Sequence, residues 1–114
     1  MDEVERFVVE GNISRFVDLL RTETNSFRRE TLKRILIAEE NRFGSVADRL
    51  ETVERHVTDG EARIAQQRRL VARMKGNGGD AGAAERMLDA FESIQDIFYG
   101  VQAAVHEEME RRRP

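Results

Sequence analysis

The chain has 114 residues, of which 39% are hydrophobic and 36% charged, with one proline, no tryptophan and no cysteine. This balance is typical of amphipathic helices in one domain with a modest core. The lack of cysteine excludes disulfides, thiolate metal sites and cysteine nucleophiles. The net charge is −3, with ten acids and nine bases in residues 1–50 and twelve acids and ten bases in residues 51–114. Bulk charge therefore does not indicate a polyanionic partner.

The first predicted element is a helix over residues 2–22. Its apolar residues fall into two groups at helical spacing, Val4, Phe7 and Val8, followed by Ile13, Phe16, Val17 and Leu20. The two groups point in different directions, and Gly11 and Asn12 lie where the apolar face changes. We therefore expect a kink at this point or two helices, the second capped by Asn12.

A heptad pattern of apolar residues dominates the middle of the chain, where we predict a central helix over residues 26–75. The a positions are Leu36, Phe43, Leu50, Val57, Ile64 and Val71, and the d positions are Leu32, Glu39, Val46, Val53, Gly60, Gln67 and Met74. Glu39, Gly60 and Gln67 are poor d residues for a two-stranded coiled coil. A bundle in which other helices cover this seam accommodates them more easily.

Gly44 and Ser45 are the weak point of the central helix, since glycine costs about 1 kcal/mol relative to alanine inside a helix. The heptad register is nevertheless unbroken across them, and it favours one continuous helix. At 1.5 Å per residue this helix would be about 75 Å long, too long to bury its seam alone, which predicts a homodimer. The alternative is a break at residues 44–45 that closes a compact four-helix monomer.

The C-terminal part begins with a glycine-rich connection, which has four glycines in residues 76–82. A final helix over residues 81–111 follows, with an apolar stripe made by Met87, Phe91, Ile94, Phe98, Val101 and Val105. We expect it to fold back antiparallel on residues 46–74. The predicted fold is thus all-α, an elongated helical bundle or coiled coil with a long central helix and a C-terminal antiparallel helical hairpin, in a single domain over residues 1–114.

Candidate catalytic residues are few. A di-iron site of the ferritin type needs Glu three residues before His, but Val53 precedes His56 and Ala103 precedes His106. We predict His56 at the border of the seam and His106 in solvent. The pair Glu39 and Glu40 is expected to be solvated, with Glu39 able to bond an arginine of a partner. No catalytic, cofactor or metal site is predicted, and the chain is not expected to be an enzyme.

A cluster of basic residues supplies the alternative to protein binding. Its candidate nucleic-acid contacts are Arg63, Arg68, Arg69 and Arg73. No aromatic residues for base stacking interleave with these arginines, so nucleic-acid binding ranks second.

Two stretches of the chain, LLRTETNSFRRETL at residues 19–32 and GEARIAQQ at residues 60–67, resemble uncharacterised short helical proteins of alphaproteobacteria. The resemblance implies a bacterial source. It implies no activity, ligand or catalytic residue.

The function predicted from the sequence is therefore a non-enzymatic helical protein–protein interaction module, a dimeric scaffold or small regulator. The predicted dimer seam consists of Leu36, Phe43, Val46, Leu50, Val53, Val57, Ile64 and Val71. Parallel and antiparallel dimers would use the same stripe, and so would the core of a monomeric bundle.

The predicted location is the cytoplasm. The lack of cysteine suits a reducing compartment, and no apolar run reaches the roughly 20 residues that cross a bilayer. The residues Met1, Asp2 and Glu3 also lack the basic and then apolar layout of a signal peptide.

Overall fold

The computed structural model describes residues 2–42 and 44–113. The chain forms four helices, which are α1 (Glu3–Thr22), α2 (Ser26–Glu40), α3 (Val46–Gly76) and α4 (Gly82–Arg111). No strand occurs in these residues, and the predicted all-α bundle is confirmed. The molecule is elongated, measuring 57 × 27 × 26 Å.

Helix α1 is uninterrupted from Glu3 to Thr22, so the expectation of two helices divided at Gly11 and Asn12 is wrong. Asn12 does not cap a helix, because its side-chain amide donates a hydrogen bond to Glu39 of α2 at 3.0 Å. The change of apolar face that the sequence indicates is nevertheless real. Val9 and Ile13 are buried, whereas the residues of the first apolar group are exposed.

The predicted continuous central helix is also wrong, because α2 ends at Glu40 and α3 begins at Val46. Gly44 has a φ of +92°, a conformation that a helix excludes and that glycine adopts without steric cost. Ser45 then caps α3 in a capping box, in which Ser45 and Asp48 each accept a hydrogen bond from the backbone N–H of the other. The glycine penalty alone is too small to end a helix. The capping box stabilises a new helix start at Val46, and it therefore favours a break over a continuous helix.

The predicted C-terminal hairpin is confirmed. Helices α3 and α4 run antiparallel, with Arg49 paired to Glu108 at one end and Lys75 to Glu85 at the other, at 2.9 and 2.8 Å. Helices α1 and α2 form a second hairpin that packs on the first. At its turn, the Arg29 guanidinium donates to two backbone carbonyls that end α1.

The hydrophobic core contains residues from all four helices. Its fully buried members include Leu20, Leu36, Val53 and Val105, one from each helix. A smaller cluster around Val71 closes the far end of the α3–α4 hairpin. Among the described residues, no helix is long and apolar enough to cross a membrane.

Three seam residues that suit a coiled coil poorly each have a specific contact inside the bundle. Glu39 accepts the hydrogen bond from Asn12, and Gln67 donates to the Ala84 carbonyl at 2.9 Å. Gly60 leaves space for the side chain of Gln95, whose Nε2 donates to the Val57 carbonyl at 2.8 Å. The bundle thus explains why these positions are not aliphatic.

Candidate functional site

A buried histidine joins the two hairpins. His56 of α3 donates a hydrogen bond from Nε2 to Glu10 Oε2 of α1 at 2.9 Å, and another from Nδ1 to Glu40 Oε1 of α2. Only 9% of the His56 side chain is exposed, and the Glu40 side chain is fully buried. We refer to Glu10, His56 and Glu40 as the histidine cluster.

The histidine cluster also contacts Phe98 of α4 and Arg55 of α3. Phe98 of α4 lies against the imidazole, with ring centroids 5.3 Å apart, so all four helices meet at His56. Arg55 adds a second pairing to Glu10, at 2.7 Å. The other oxygen of Glu40, Oε2, is buried and has no hydrogen-bond donor within the described part of the chain. The cluster therefore joins the four helices and leaves Glu40 Oε2 without a hydrogen bond from the described residues.

The two carboxyl groups control the protonation of His56. Burial alone would lower the pKa of His56, but the hydrogen bonds to Glu10 and Glu40, together with their charges, outweigh it and raise the pKa to about 9. The hydrogen bond from His56 in turn holds the pKa of Glu10 below its usual value, against the effect of burial. His56 is therefore a buried imidazolium at neutral pH.

This geometry decides which chemistry His56 can perform. A general base needs a free ring nitrogen facing substrate, and a metal ligand needs a free lone pair. Both nitrogens of His56 instead donate to carboxyl groups of the same chain. No group of three acidic or histidine side chains in residues 2–42 and 44–113 is arranged to hold a metal ion. The cluster therefore holds α3 to α1 and α2 through both ring nitrogens of His56.

The raised pKa of His56 predicts that the protein is less stable at alkaline pH. A group whose pKa is raised on folding stabilises the folded state fully below its unfolded pKa, here 6.5, and this contribution is lost as the pH rises through about 9. We expect the free energy of unfolding to fall by about 3 kcal/mol between pH 6.5 and 9.5. Urea denaturation at a series of pH values measures it. A flat profile, or one that persists in His56→Ala, would contradict the assignment.

A cleft of about 260 Å³ lies beside the cluster, between α1 and α3. Phe91 of α4 lines it, and the guanidinium carbons of Arg21 and Arg63 each lie 5.6 Å from the centre of its ring. Arg21 also pairs with Asp18 at 3.1 Å. These contacts link α1, α3 and α4 through the Phe91 ring, which has one guanidinium group from α1 and one from α3 against it.

The predicted dimer seam lies inside the bundle. Its buried members are Leu36, Val46, Val53, Val57, Ile64 and Val71, and Leu50 packs partly buried against the same core. Phe43 lies outside the described residues. The seam is thus part of the core within one chain, as in the alternative interpretation, so these side chains are not free to bind a second copy, and the homodimer itself stays a prediction. The physical reason is that α1 and α4 already cover the stripe.

The predicted nucleic-acid contacts, Arg63, Arg68, Arg69 and Arg73, are all exposed on α3. Arg63 faces Phe91, and Arg68 lies 3.8 Å from Glu92 of α4, so two of the four already have contacts within the chain. The arrangement adds nothing in favour of a nucleic-acid groove, and this function stays a prediction.

The histidine cluster is the feature that the sequence did not indicate. Glu39 and Glu40 were expected in solvent and are both buried. His56 was placed correctly at the border of the seam, but its partners come from α1 and α2, at positions 46 and 16 residues away. No local spacing rule connects such positions. The one available signal was Glu39, the single charged residue among the a and d positions of the heptad pattern, and it is the neighbour of the residue that binds His56.

No protein-family model, curated protein or solved structure matches this chain.

Proposed function

We propose that this chain is a non-enzymatic protein–protein interaction module, and that it binds its partner through the solvent-facing apolar stripe of α1, formed by Val4, Phe7 and Val8. The observation that carries the proposal is their exposure, which is 72%, 80% and 40%. The opposite face of α1 is already buried in the core. A helix with apolar residues on both sides has one face that still lacks a partner.

The stripe fits an amphipathic helix. Val4, Phe7, Val8 and Gly11 follow the spacing by which one helix contacts another, and they cover two turns. Gly11 has no neighbouring atom within 4 Å of the point where a Cβ would lie, so a partner backbone can approach closely there. Glu3 is exposed beside the stripe, in a first turn that is rich in acids. The proposed partner is therefore a helix whose apolar face is flanked by basic residues.

The lack of cysteine and the composition support the cytoplasm as the place of this interaction, as part of the same proposal.

Replacing Phe7 with glutamate is expected to weaken binding of the partner at least thirtyfold, because a large apolar side chain at the centre of an interface contributes about 2 kcal/mol or more. The partner is first identified by cross-linking from a photoreactive residue at position 7 in cells, and its affinity for the purified chain is then measured by calorimetry. The free energy of unfolding should change by less than about 0.5 kcal/mol, since Phe7 is outside the core.

Phe27→Glu is the matched control, because Phe27 is also an exposed phenylalanine, 74% accessible, but lies on α2. It should leave the affinity within twofold of the original. Equal loss in both variants, or equal cross-linking from positions 7 and 27, would show that the stripe is not the binding surface.

A further inference from the structure

The cleft between α1 and α3 contains two charged side chains that have no partner in the described part of the chain. Most of the charged residues that line it form pairs, which are Arg21 with Asp18 and His56 with Glu10. Asp59 and Arg63 of α3 also line the cleft, and neither makes a hydrogen bond or an ion pair with a described residue. Within that part of the chain, the cleft thus presents one unpaired carboxylate and one unpaired guanidinium group.

Asp59 and Arg63 have the spacing at which such residues usually pair. They are four positions apart on α3, with the acid before the base, which is the order that favours an ion pair on a helix. The Arg63 guanidinium lies instead against the Phe91 ring of α4, with its central carbon 5.6 Å from the ring centre. The two residues are therefore one helical turn apart along α3, about 6 Å, and both border the same cleft.

Apolar side chains line the cleft beside these two charges. Ile13 and Phe98 are buried, and Val17 and Phe91 are half-buried. The cleft volume of about 260 Å³ lies just below the usual range of small-molecule sites, about 300 to 1,000 Å³, so a ligand must be small. Apolar walls with a few placed polar groups are the usual form of such sites.

We propose that this cleft binds a free α-amino acid with an apolar side chain, such as leucine or phenylalanine. The carboxylate of the amino acid accepts hydrogen bonds from the Arg63 guanidinium, its ammonium group donates to the Asp59 carboxylate, and its side chain packs against Val17 and Phe91. An α-amino acid carries both charges on one carbon atom, so it matches two opposite unpaired groups one helical turn apart. A simple carboxylate or a simple amine would pair with only one of them.

This inference goes beyond the proposed binding stripe and does not depend on it. The cleft is lined by Ile13 and Val17, on the side of α1 that faces the core, whereas Val4, Phe7 and Val8 are exposed. Phe7→Glu should therefore leave the affinity for an amino acid unchanged, so the two proposals can fail separately.

A ligand series tests the assignment on the unmodified chain. L-phenylalanine, phenylpropionate, phenethylamine and glycine are titrated into isotopically labelled protein at neutral pH, and amide shifts in NMR spectra give the dissociation constants. Phenylpropionate lacks the ammonium group and phenethylamine lacks the carboxylate, so each should bind at least tenfold more weakly than phenylalanine. Glycine lacks the apolar side chain and should bind too weakly to measure.

Two variants locate the site. Arg63→Gln should weaken phenylalanine binding at least tenfold, and Asp59→Asn should lower the affinity for phenylalanine to that for phenylpropionate, because the ammonium group loses its partner. Arg69→Gln is the matched control, since Arg69 is also an exposed arginine of α3 but does not line the cleft, and it should leave the dissociation constant within twofold. The three replaced side chains are exposed, so each variant should fold, which circular dichroism checks.

The proposal is overturned if phenylalanine at millimolar concentration shifts no amide signal around Asp59 and Arg63, or if phenylpropionate binds as tightly as phenylalanine. Equal losses in Arg63→Gln and Arg69→Gln would also overturn it, because they would show binding outside the cleft. Should Arg63→Gln not fold, Asp59→Asn and the ligand series decide.

Discussion

His56→Ala is expected to lower the free energy of unfolding by about 3 to 5 kcal/mol, the usual loss when one partner of a buried charged pair is removed. The substitution takes away both hydrogen bonds that join α3 to α1 and α2, and it leaves the buried carboxyl group of Glu40, which already has one unsatisfied oxygen, without a donor. It also empties the space beside the Phe98 ring. Urea denaturation at pH 7, followed by circular dichroism, measures the loss.

His106→Ala is the matched control. His106 is 52% exposed and lies 3.8 Å from the carboxyl group of Glu54, which is 50% exposed, so its replacement should change the free energy of unfolding by less than about 0.5 kcal/mol. Adding Glu40→Leu to His56→Ala should recover part of the loss, because it removes the stranded carboxyl group. A loss below 1 kcal/mol in His56→Ala would show that the cluster does not hold the hairpins together.

Gly60→Ala is expected to destabilise the bundle by about 2 to 4 kcal/mol, although alanine is the better helix former by about 1 kcal/mol. A Cβ on Gly60 would lie 1.8 Å from Gln95 Oε1 and 2.7 Å from its Cδ. Gln95 is buried and cannot move aside without giving up its hydrogen bond to the Val57 carbonyl. The cost therefore combines overpacking with a lost buried hydrogen bond.

A double-mutant cycle tests this explanation. Combined with Gln95→Ala, the Gly60→Ala change should become neutral or stabilising, because the colliding side chain is gone and only the gain in helix propensity is left. Gly11→Ala should stabilise the protein by about 0.5 to 1 kcal/mol, because no neighbouring atom lies within 4 Å of the new Cβ and alanine is the better helix former. A Gly60→Ala loss that is unchanged in the Gln95→Ala background would mean that another contact requires the glycine.

The histidine cluster and Gln95 together suggest how a small domain selects one arrangement of its helices. Apolar side chains tolerate sliding and repacking, whereas a buried carboxyl group opposite a buried histidine is satisfied at one register only. The cluster lies where α1, α2 and α3 meet, and Gln95 fixes α4 against α3. Polar contacts thus set the register, and the apolar core supplies most of the burial.

The sequence alone determined the helical class, the glycine-rich connection after α3 and the antiparallel pairing of α3 with α4. These features depend on local rules, namely helical periodicity and the conformational freedom of glycine, which act between residues close in the chain. The seam was also identified correctly as a buried apolar stripe, although a second copy was predicted to help cover it. Periodicity shows that a stripe must be buried, but it does not show which helix buries it.

Tertiary structure decided the rest. The break at Gly44 depended on a balance between glycine's small helical penalty, the capping box of Ser45 and the gain from folding one hairpin onto the other. The burial of Glu40 depended on His56, a residue of another helix that satisfies it only after the hairpins have packed. The free energy of each such residue depends on groups that are distant in the chain, and no spacing in the sequence records that they will meet.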